Sequence, residues 1–407
     1  MRTMSSPLDD LKKIQGERDD ARKPRKKHPE GWEPGVAWDE NSRTGSITVT
    51  QNKPRPDWDS LLREWGFDPE QFEIADDTIQ FRTWDANVGE GNVQRMYYYR
   101  AQIRTKSDRP DTDVSKLIEE IRKHKPLQKK EEAGDLALVV AISDTQMGKG
   151  EGGGSAGVVE RFQRGIDLVE ARWKDLIKSG KKLDRLVVVG LGDLVESTDG
   201  HYAMQGFQVD LDRREQVKVM RRLIVKALER WSSFAPRVVV AAVPGNHGEN
   251  RKNGKAYTTF GDNDDLAIFE QAAEILASNP ERYEHVSFVI AGSNLTLTID
   301  VHGTIIGLAH GHQARSGGQG SISKIANWWK GQAFGERPTG DASILMTGHF
   351  HSLQVATHGQ RTHIQAPSLD GGSQWFTEMS GIESPGGILT LTVGNGGWDD
   401  LKVLNCD

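Results

Sequence analysis

The chain has one cysteine among its 407 residues, Cys406. That excludes an intrachain disulfide framework and any metal site built on several thiolates, and it fits a reducing compartment. Apolar runs are short: none approaches the roughly 18 residues that a membrane-spanning helix needs, and the first residues lack the apolar stretch of a secretory signal. Neither sign of charge is in large excess. Lys plus Arg number 52 and Asp plus Glu 58, for a formal net charge of -6. There is thus no global field to draw in a polyanion, and any grip on nucleic acid must come from local patches. The expectation is a cytoplasmic protein with no membrane partner.

A chain of this length can bury at least one sizeable core and carry two or three structural units. Residues 1–35 are charged and poor in apolar side chains, with a basic run from Arg22 to Lys27, and read as a disordered tail. Residues 36–110 read as a small α+β module: a helix from Asp57 to Trp65, capped by Asp57 or Asp59 and stopped by Gly66, then strands Thr78–Trp84 and Gln94–Thr105 across the turn-rich Asn87–Asn92. In that module Tyr97, Tyr98 and Tyr99 stand between Arg95 and Arg100, with Arg104 and Trp84 near by. Aromatics among cations grip unpaired bases, each stacked base contributing about 1–3 kcal/mol. Neighbouring strand residues point to opposite faces, however, so at least one of these tyrosines is expected in a core. Residues 111–134 read as a helix, Asp113–His124, and a charged linker.

From residue 135 to 407 the pattern changes. Leu136–Ile142, Arg185–Leu191, Arg237–Val243 and Thr304–Ala309 are short β-rich apolar runs, and helical stretches near Ala156–Lys178, Asp210–Trp231 and Asn263–Ala277 lie among them. That order argues for α/β layering, and the strand-rich remainder, Asn294–Asp300, Ala342–Met346, Leu353–Ala356, Arg361–Gln365 and Gly387–Val393, for a second sheet packed on the first. Five segments put acids, an asparagine and histidines at strand ends: Asp144-Thr145-Gln146, Gly192-Asp193, Gly245-Asn246-His247, His310-Gly311-His312 and Gly348-His349-Phe350-His351. Carboxyl ends of strands in open α/β sheets are where ligands bind. Taken singly each segment is weak, since Gly-Asp is usually a turn and a lone histidine usually structural. Together they supply the mix of carboxylate, amide oxygen and imidazole that suits Mn, Fe or Zn.

As a set, these residues resemble the calcineurin-like metallophosphoesterases, over about Leu136 to Val393. The resemblance implies a four-layered α/β/β/α sandwich with a two-metal site, in which hydroxide held between the ions attacks phosphorus in line. One ion would be held by Asp144, Gln146, Asp193 and His351, the other by Asp193, Asn246, His310 and His349. His247 would hydrogen-bond the phosphate and protonate the leaving oxygen. One position departs from the pattern: Gln146 stands where histidine is usual. An amide oxygen is a weaker ligand for Zn or Fe than imidazole, so the expectation is a labile first ion and a preference for Mn, with Mg, Zn or Fe as the other candidates.

The motif order is similar to that of nucleases acting in double-strand-break repair, and the appended module and Ser368–Ser373 resemble bacteriophage-encoded members, which would place the protein in a host cytoplasm. DNA is therefore the favoured substrate. The alternatives are a phosphatase or phosphodiesterase on small molecules or phosphoproteins, and a non-catalytic nucleic-acid-binding or adaptor protein. A homodimer or an ATPase partner is not indicated by the sequence. Arg251 and Arg315, with Lys252 and Lys255, are candidates for steering an anionic substrate, and Glu196 for bonding a ligand or a following helix. His312 is expected outside the ligand set. Gly148–Gly157 lacks the phosphate-loop spacing and reads as a mobile lid. Trp328-Trp329 reads as core packing at the end of a helix beginning near Ser321.

Overall fold

The computed structural model describes residues 34–39, 44–54, 56–87, 93–105, 114–127, 134–202, 205–252, 254–314, 320–372, 378 and 385–407. Most of the basic tail, the tip of the 87–92 turn, Arg315, Ser373 and the side chain of Arg104 lie outside them. Two units are present, one within Met1–Asp39 and Gly45–Thr105 and the other, in the main, within Lys106–Asp407.

The first unit, among its described residues, is a four-stranded sheet with one helix. Its elements are β1 (Gly35–Asp39), β2 (Thr44–Gln51), α1 (Trp58–Glu64), β3 (Phe72–Asn87) and β4 (Val93–Thr105), in sheet order β1-β2-β4-β3. The helix starts where expected because the Asp57 side chain accepts from Ser60 N at 3.2 Å. β1 and β2 were not foreseen, and β1 opens at Gly35, inside the stretch read as tail. Gly45, Ser46, Thr48 and Thr50 dilute the apolar alternation that marks a strand. The tyrosine row is largely structural, as expected of at least one of its members. Tyr98 and Tyr99 are 6% and 7% exposed, and the Tyr99 hydroxyl donates to Pro54 O. Arg95 is committed to Asp85, Nε to Oδ1 at 2.8 Å. Only Tyr97 stays partly open, with its ring 6.2 Å from that of exposed Phe81.

The second unit opens with α2 (Val114–Arg122) and then alternates: β5 (Leu136–Ile142), α3 (Gly154–Lys178), β6 (Leu183–Gly190), the short α4 (Gln205–Gln208), α5 (Arg213–Trp231) and β7 (Val238–Ala242). After the small hairpin β8 (Arg251–Lys252) and β9 (Lys255–Ala256) come α6 (Asp264–Ala277), α7 (Pro280–Tyr283), β10 (Val286–Ile290), β11 (Thr296–Val301) and β12 (Thr304–Ala309). The chain ends with α8 (Ser321–Phe334), β13 (Ile344–Thr347), β14 (Gln354–His358), β15 (Arg361–Gln365), β16 (Gly387–Gly394) and β17 (Gly397–Asn405). α8 runs past Trp329 to Phe334, further than the sequence suggested.

Two sheets result, ordered β10-β7-β6-β5-β16-β17 and β11-β12-β13-β15-β14. β10, β7, β6 and β5 are mutually parallel, as are β12, β13 and β15. Strand parity explains the layers. Leu138, Val140, Leu186, Val188 and Val240 face α3, α5 and α6, whereas Ala137, Val139, Val187, Val189 and Leu391 meet Ile306, Leu308, Ile344 and Met346 of the second sheet. The outer side of that second sheet packs Leu345 and Ala309 on Ile325 and Trp329 of α8. The layer order is thus α/β/β/α, as expected. Strands covered on both faces carry near-continuous apolar runs, which is why β5, β6 and β7 were readable in advance. No helix among the described residues is long and apolar enough to cross a membrane.

The Gly148–Gly157 stretch is tied down, which corrects the lid reading. Gly150 N donates to Gln208 O at 2.8 Å, Asp210 N to Gly148 O at 2.9 Å, and the Lys149 ammonium to Asp370.

Behind the sheets, α2 is anchored by His124, whose Nδ1 lies 2.6 Å from the Tyr283 hydroxyl and whose Nε2 lies 3.3 Å from Glu229 Oε1. Burial, then neighbouring Glu120, raises the Glu229 carboxyl from 4.5 to about 7. The folded chain therefore holds a proton there that the unfolded chain has released. That contribution to stability is full below about pH 4.5 and lost as pH rises through 7. Glu229→Gln should flatten the pH dependence of the urea midpoint across this window and leave the variant more stable than wild type at pH 8.

Candidate metal centre

The five segments converge because their strands are parallel and end on one side of the two sheets. Asp144 follows β5, Asp193 follows β6, Asn246 and His247 follow β7, His310 follows β12, and His349 and His351 follow β13. At each of these exits the main chain turns sharply. Asp144, Gln146, Asp193, His349 and His351 all have positive φ, between 41° and 71°, a conformation costly for residues with a Cβ and one that concentrates at functional sites.

Main-chain bonds lock the turns together. Asp144 N donates to Gly192 O at 3.1 Å, Gln146 N to Asp193 O at 3.0 Å, and Gly348 N to His310 O at 2.9 Å. His349 N reaches Asp144 Oδ2 at 2.9 Å and His247 N reaches Asp193 Oδ1 at 2.7 Å. The two sheets are stitched by His310, whose Nδ1 is 2.7 Å from Leu191 O. Gly245 packs so tightly that a Cβ there would lie 2.1 Å from Asp193 Oδ1.

Two clusters share this floor. In one, Asp193, His310 and His349 bring ligand atoms within 4.8 Å of one another. His310 Nε2 is 2.9 Å from Asp193 Oδ2 and 3.2 Å from His349 Nδ1. In the other, His351 Nε2 is 3.3 Å from Asp144 Oδ1. Asn246 Oδ1 is buried and accepts no hydrogen bond, a costly arrangement for an oxygen unless a cation takes it, and Asp144 Oδ1 is met by His351 alone. Carboxylate, amide and imidazole donors, buried together with such oxygens, fit a divalent ion.

The electrostatics follow from this crowding. Burial opposes the charge of Asp193 and Asp144, yet the imidazoles of His310 and His247 hold Asp193 well below the usual range, and those of His351 and His310 depress Asp144. Burial likewise opposes protonation of His310, but Asp193 prevails and raises it to about 9. His349, desolvated and beside His310, falls to about 4 and stays neutral.

His247 lies at the rim of this floor. Its Nδ1 is 3.0 Å from Glu196 O and 3.3 Å from Glu196 Oε2, and its ring stacks on His201 at 3.8 Å with planes 5° apart. Burial lowers it, but Asp193 and Glu196 outweigh burial and raise it to about 9. Glu196 thus orients His247 and also holds the following helix, its main-chain oxygen accepting from Gln205 Nε2 of α4 at 2.8 Å. Arg251 is less available than expected: it is partly buried, with Nη1 3.3 Å from Glu249 Oε2 and Nη2 donating to Gly254 O at 3.0 Å. His312 lies toward Glu249, Nε2 to Oε1 3.9 Å, with its ring 5.4 Å from that of His310, and is not one of the three residues whose ligand atoms come together. Gln146 is buried and tied by its main chain to Asp193. Arg315 lies outside the described residues.

Sequence reasoning missed three residues. Asp265, fully buried, accepts from the N–H groups of Asp193 (3.0 Å), Leu194 (2.8 Å) and Gly245 (2.8 Å). Burial and the nearby Asp193 raise it to about 7. Its position in the first turn of α6 reads as ordinary helix capping, which hid it. His201 carried no motif signal, and Asp370 sat unremarked inside Ser368–Ser373.

No family model and no curated protein matches the chain. Solved structures do. A conserved uncharacterized protein from Streptococcus pneumoniae TIGR4, described as a predicted phosphoesterase, is 14% identical over 68% of this chain and 92% of its own, with TM-score 0.31. An archaeal phosphodiesterase is 12% identical over 66% and 99%, with TM-score 0.30. Vps29 from Entamoeba histolytica, in complex with zinc, is 15% identical over 66% and 99%, with TM-score 0.27. At these values the likeness carries no argument about activity, which must come from the side chains.

Gly245→Ala should displace Asp193 and sharply reduce uptake of divalent ions, measured by titration calorimetry. Gly331→Ala in α8, where nothing lies within 4 Å of an added Cβ, should leave uptake unchanged and stabilise by about 0.5–1 kcal/mol.

Proposed function

We propose that this protein is a metal-dependent phosphoesterase, and more specifically a phosphodiesterase that cleaves DNA with two divalent ions. The observation that carries the reading is the Asp193 carboxylate, which faces His310 on one oxygen and takes the His247 N–H on the other, while Asp144 and His351 sit beside it. One ion would be held by Asp144, Gln146, Asp193 and His351, and the other by Asp193, Asn246, His310 and His349. Bound there, such ions supply the Lewis acidity that polarises phosphoryl oxygens and lowers the pKa of water.

The chain's own groups do the rest. Strained turns hold the ligands before any substrate arrives, so little reorganisation is needed on binding. His247 has Nδ1 occupied by Glu196. Its proton transfers therefore run through Nε2, where a protonated imidazole can bond a phosphate oxygen and donate to the leaving group. The stacked His201 ring fixes the imidazole plane.

DNA as substrate rests on the order of the motifs, on the basic run Arg22–Lys27 and on the half-open Phe81–Tyr97 pair. A small phosphodiester is the second reading. It is favoured by the engagement of Arg251 with Glu249, which leaves less positive charge for a polyanion at the site.

Hydrolysis of linear single- and double-stranded DNA beside bis-p-nitrophenyl phosphate, with Mn, Mg or Zn restored to stripped protein, tests the reading. Metal-dependent cleavage of both, reduced more than about 100-fold in Asp193→Ala, is expected. Cleavage of the small ester alone selects the second reading, and no turnover of either by the metal-loaded chain rejects both. Gln146→His should increase the zinc retained through dialysis, since imidazole binds Zn better than an amide oxygen. Equal zinc content in the two proteins would exclude Gln146 as a ligand.

A further inference from the structure

Asp370 lies behind His351, on the side away from Asp144. Its carboxylate is fully buried, and Oδ2 is 3.3 Å from His351 Nδ1. The opposite nitrogen, Nε2, is 3.3 Å from Asp144 Oδ1. Asp370 Oδ1 is occupied by the Ser368 hydroxyl at 2.8 Å and Gly372 N at 3.0 Å. Oδ2 therefore serves His351 and the Lys149 ammonium. The loop bearing Asp370 is itself clamped. Arg161 of α3 donates to Leu369 O and to Gly152 O, each at 2.9 Å, and Leu369 N reaches Asp144 O at 3.3 Å.

The two clusters differ in what stands behind their histidines. His310 is backed by a neutral carbonyl, Leu191 O, whereas His351 is backed by a carboxylate. A carboxylate behind a ligating imidazole fixes its tautomer and raises its basicity, and loss of such a partner typically weakens metal binding 10–100-fold. The carboxylate-backed histidine belongs to the ligand set that contains Gln146, a neutral and weaker donor.

We propose that Asp370, braced by Lys149, is a positioning residue that holds His351 with Nδ1 protonated and Nε2 free to ligate, compensating at that ion for the amide ligand Gln146. The inference rests on the phosphoesterase reading, which makes His351 a ligand. It assigns the two ions unequal dependence on a residue outside the five motifs.

Titration of Mn into the stripped full-length chain tests it. Wild type should take up two ions. Asp370→Asn should weaken one of them about 10–100-fold and leave the other unchanged. Binding by the variant that matches wild type at every ion overturns the proposal, as does equal weakening of both. A wild type that binds a single ion, unaffected by the substitution, overturns it too. A wild type that binds no divalent ion sinks the phosphoesterase reading itself, so the two failures are distinguishable. Should Asp370→Asn prove unfolded by circular dichroism, the wild-type chain decides alone. A long-range proton–nitrogen spectrum of the zinc-loaded protein, with His351 assigned by its loss in His351→Gln, must show the Nδ1-protonated ring. An Nε2-protonated ring at His351 overturns the proposal.

Discussion

The site depends on one crowded contact, between the turns that leave β6 and β7. Asp193 sits in left-handed backbone with its N–H on Asp265. Gly245 lies against it so closely that no side chain fits between them. That approach lets a single buried carboxylate face His310 on one side and accept the His247 N–H on the other. Asp265 makes it stable by giving three converging N–H groups one acceptor. Without a partner each of these buried donors would carry a desolvation penalty of roughly 1–3 kcal/mol.

The fold serves this contact by aiming parallel strands from two sheets at one edge. His310 comes from the second sheet, yet bonds Leu191 O of the first. His349 and His351 likewise meet Asp144 across the sheet-to-sheet interface. The apolar layer between the sheets, from Val139 and Val189 to Ile306 and Met346, keeps those edges in register. Because that interior is close-packed, these side chains are held by the core rather than by flexible loops.

Strong signals in the chain came from residues with a local reason to be where they are. β5 and β12 match their apolar runs end to end, and α1 starts at its capping Asp57. The five motif segments were visible because sharp exits from buried strands favour Gly, Asp, Asn and His. Elements without local contrast were missed: β2, which is rich in small polar residues, the short β1, which opens at the edge of the charged tail, and the edge strands β10 and β17, which lie partly open. The tyrosine row left two readings open for the opposite reason. Aromatics beside arginines look alike whether they face solvent or, like Tyr98 and Tyr99, a buried surface.

The sequence by itself determined the order of the five acid- and histidine-bearing strand ends and the layered α/β plan, since strand periodicity and turn chemistry are local properties; the candidate ligand set came from the family resemblance. Only the tertiary structure decided which groups support those ligands. Asp265 stands 72 residues from Asp193, Glu196 51 from His247, and Asp370 221 from Lys149. No spacing rule links such pairs, because they meet only once two sheets and their helices have packed. That packing also turned Arg251 toward Glu249 and pinned the glycine-rich stretch after Asp144. Charge and flexibility at those positions are set by neighbours that are distant in the chain.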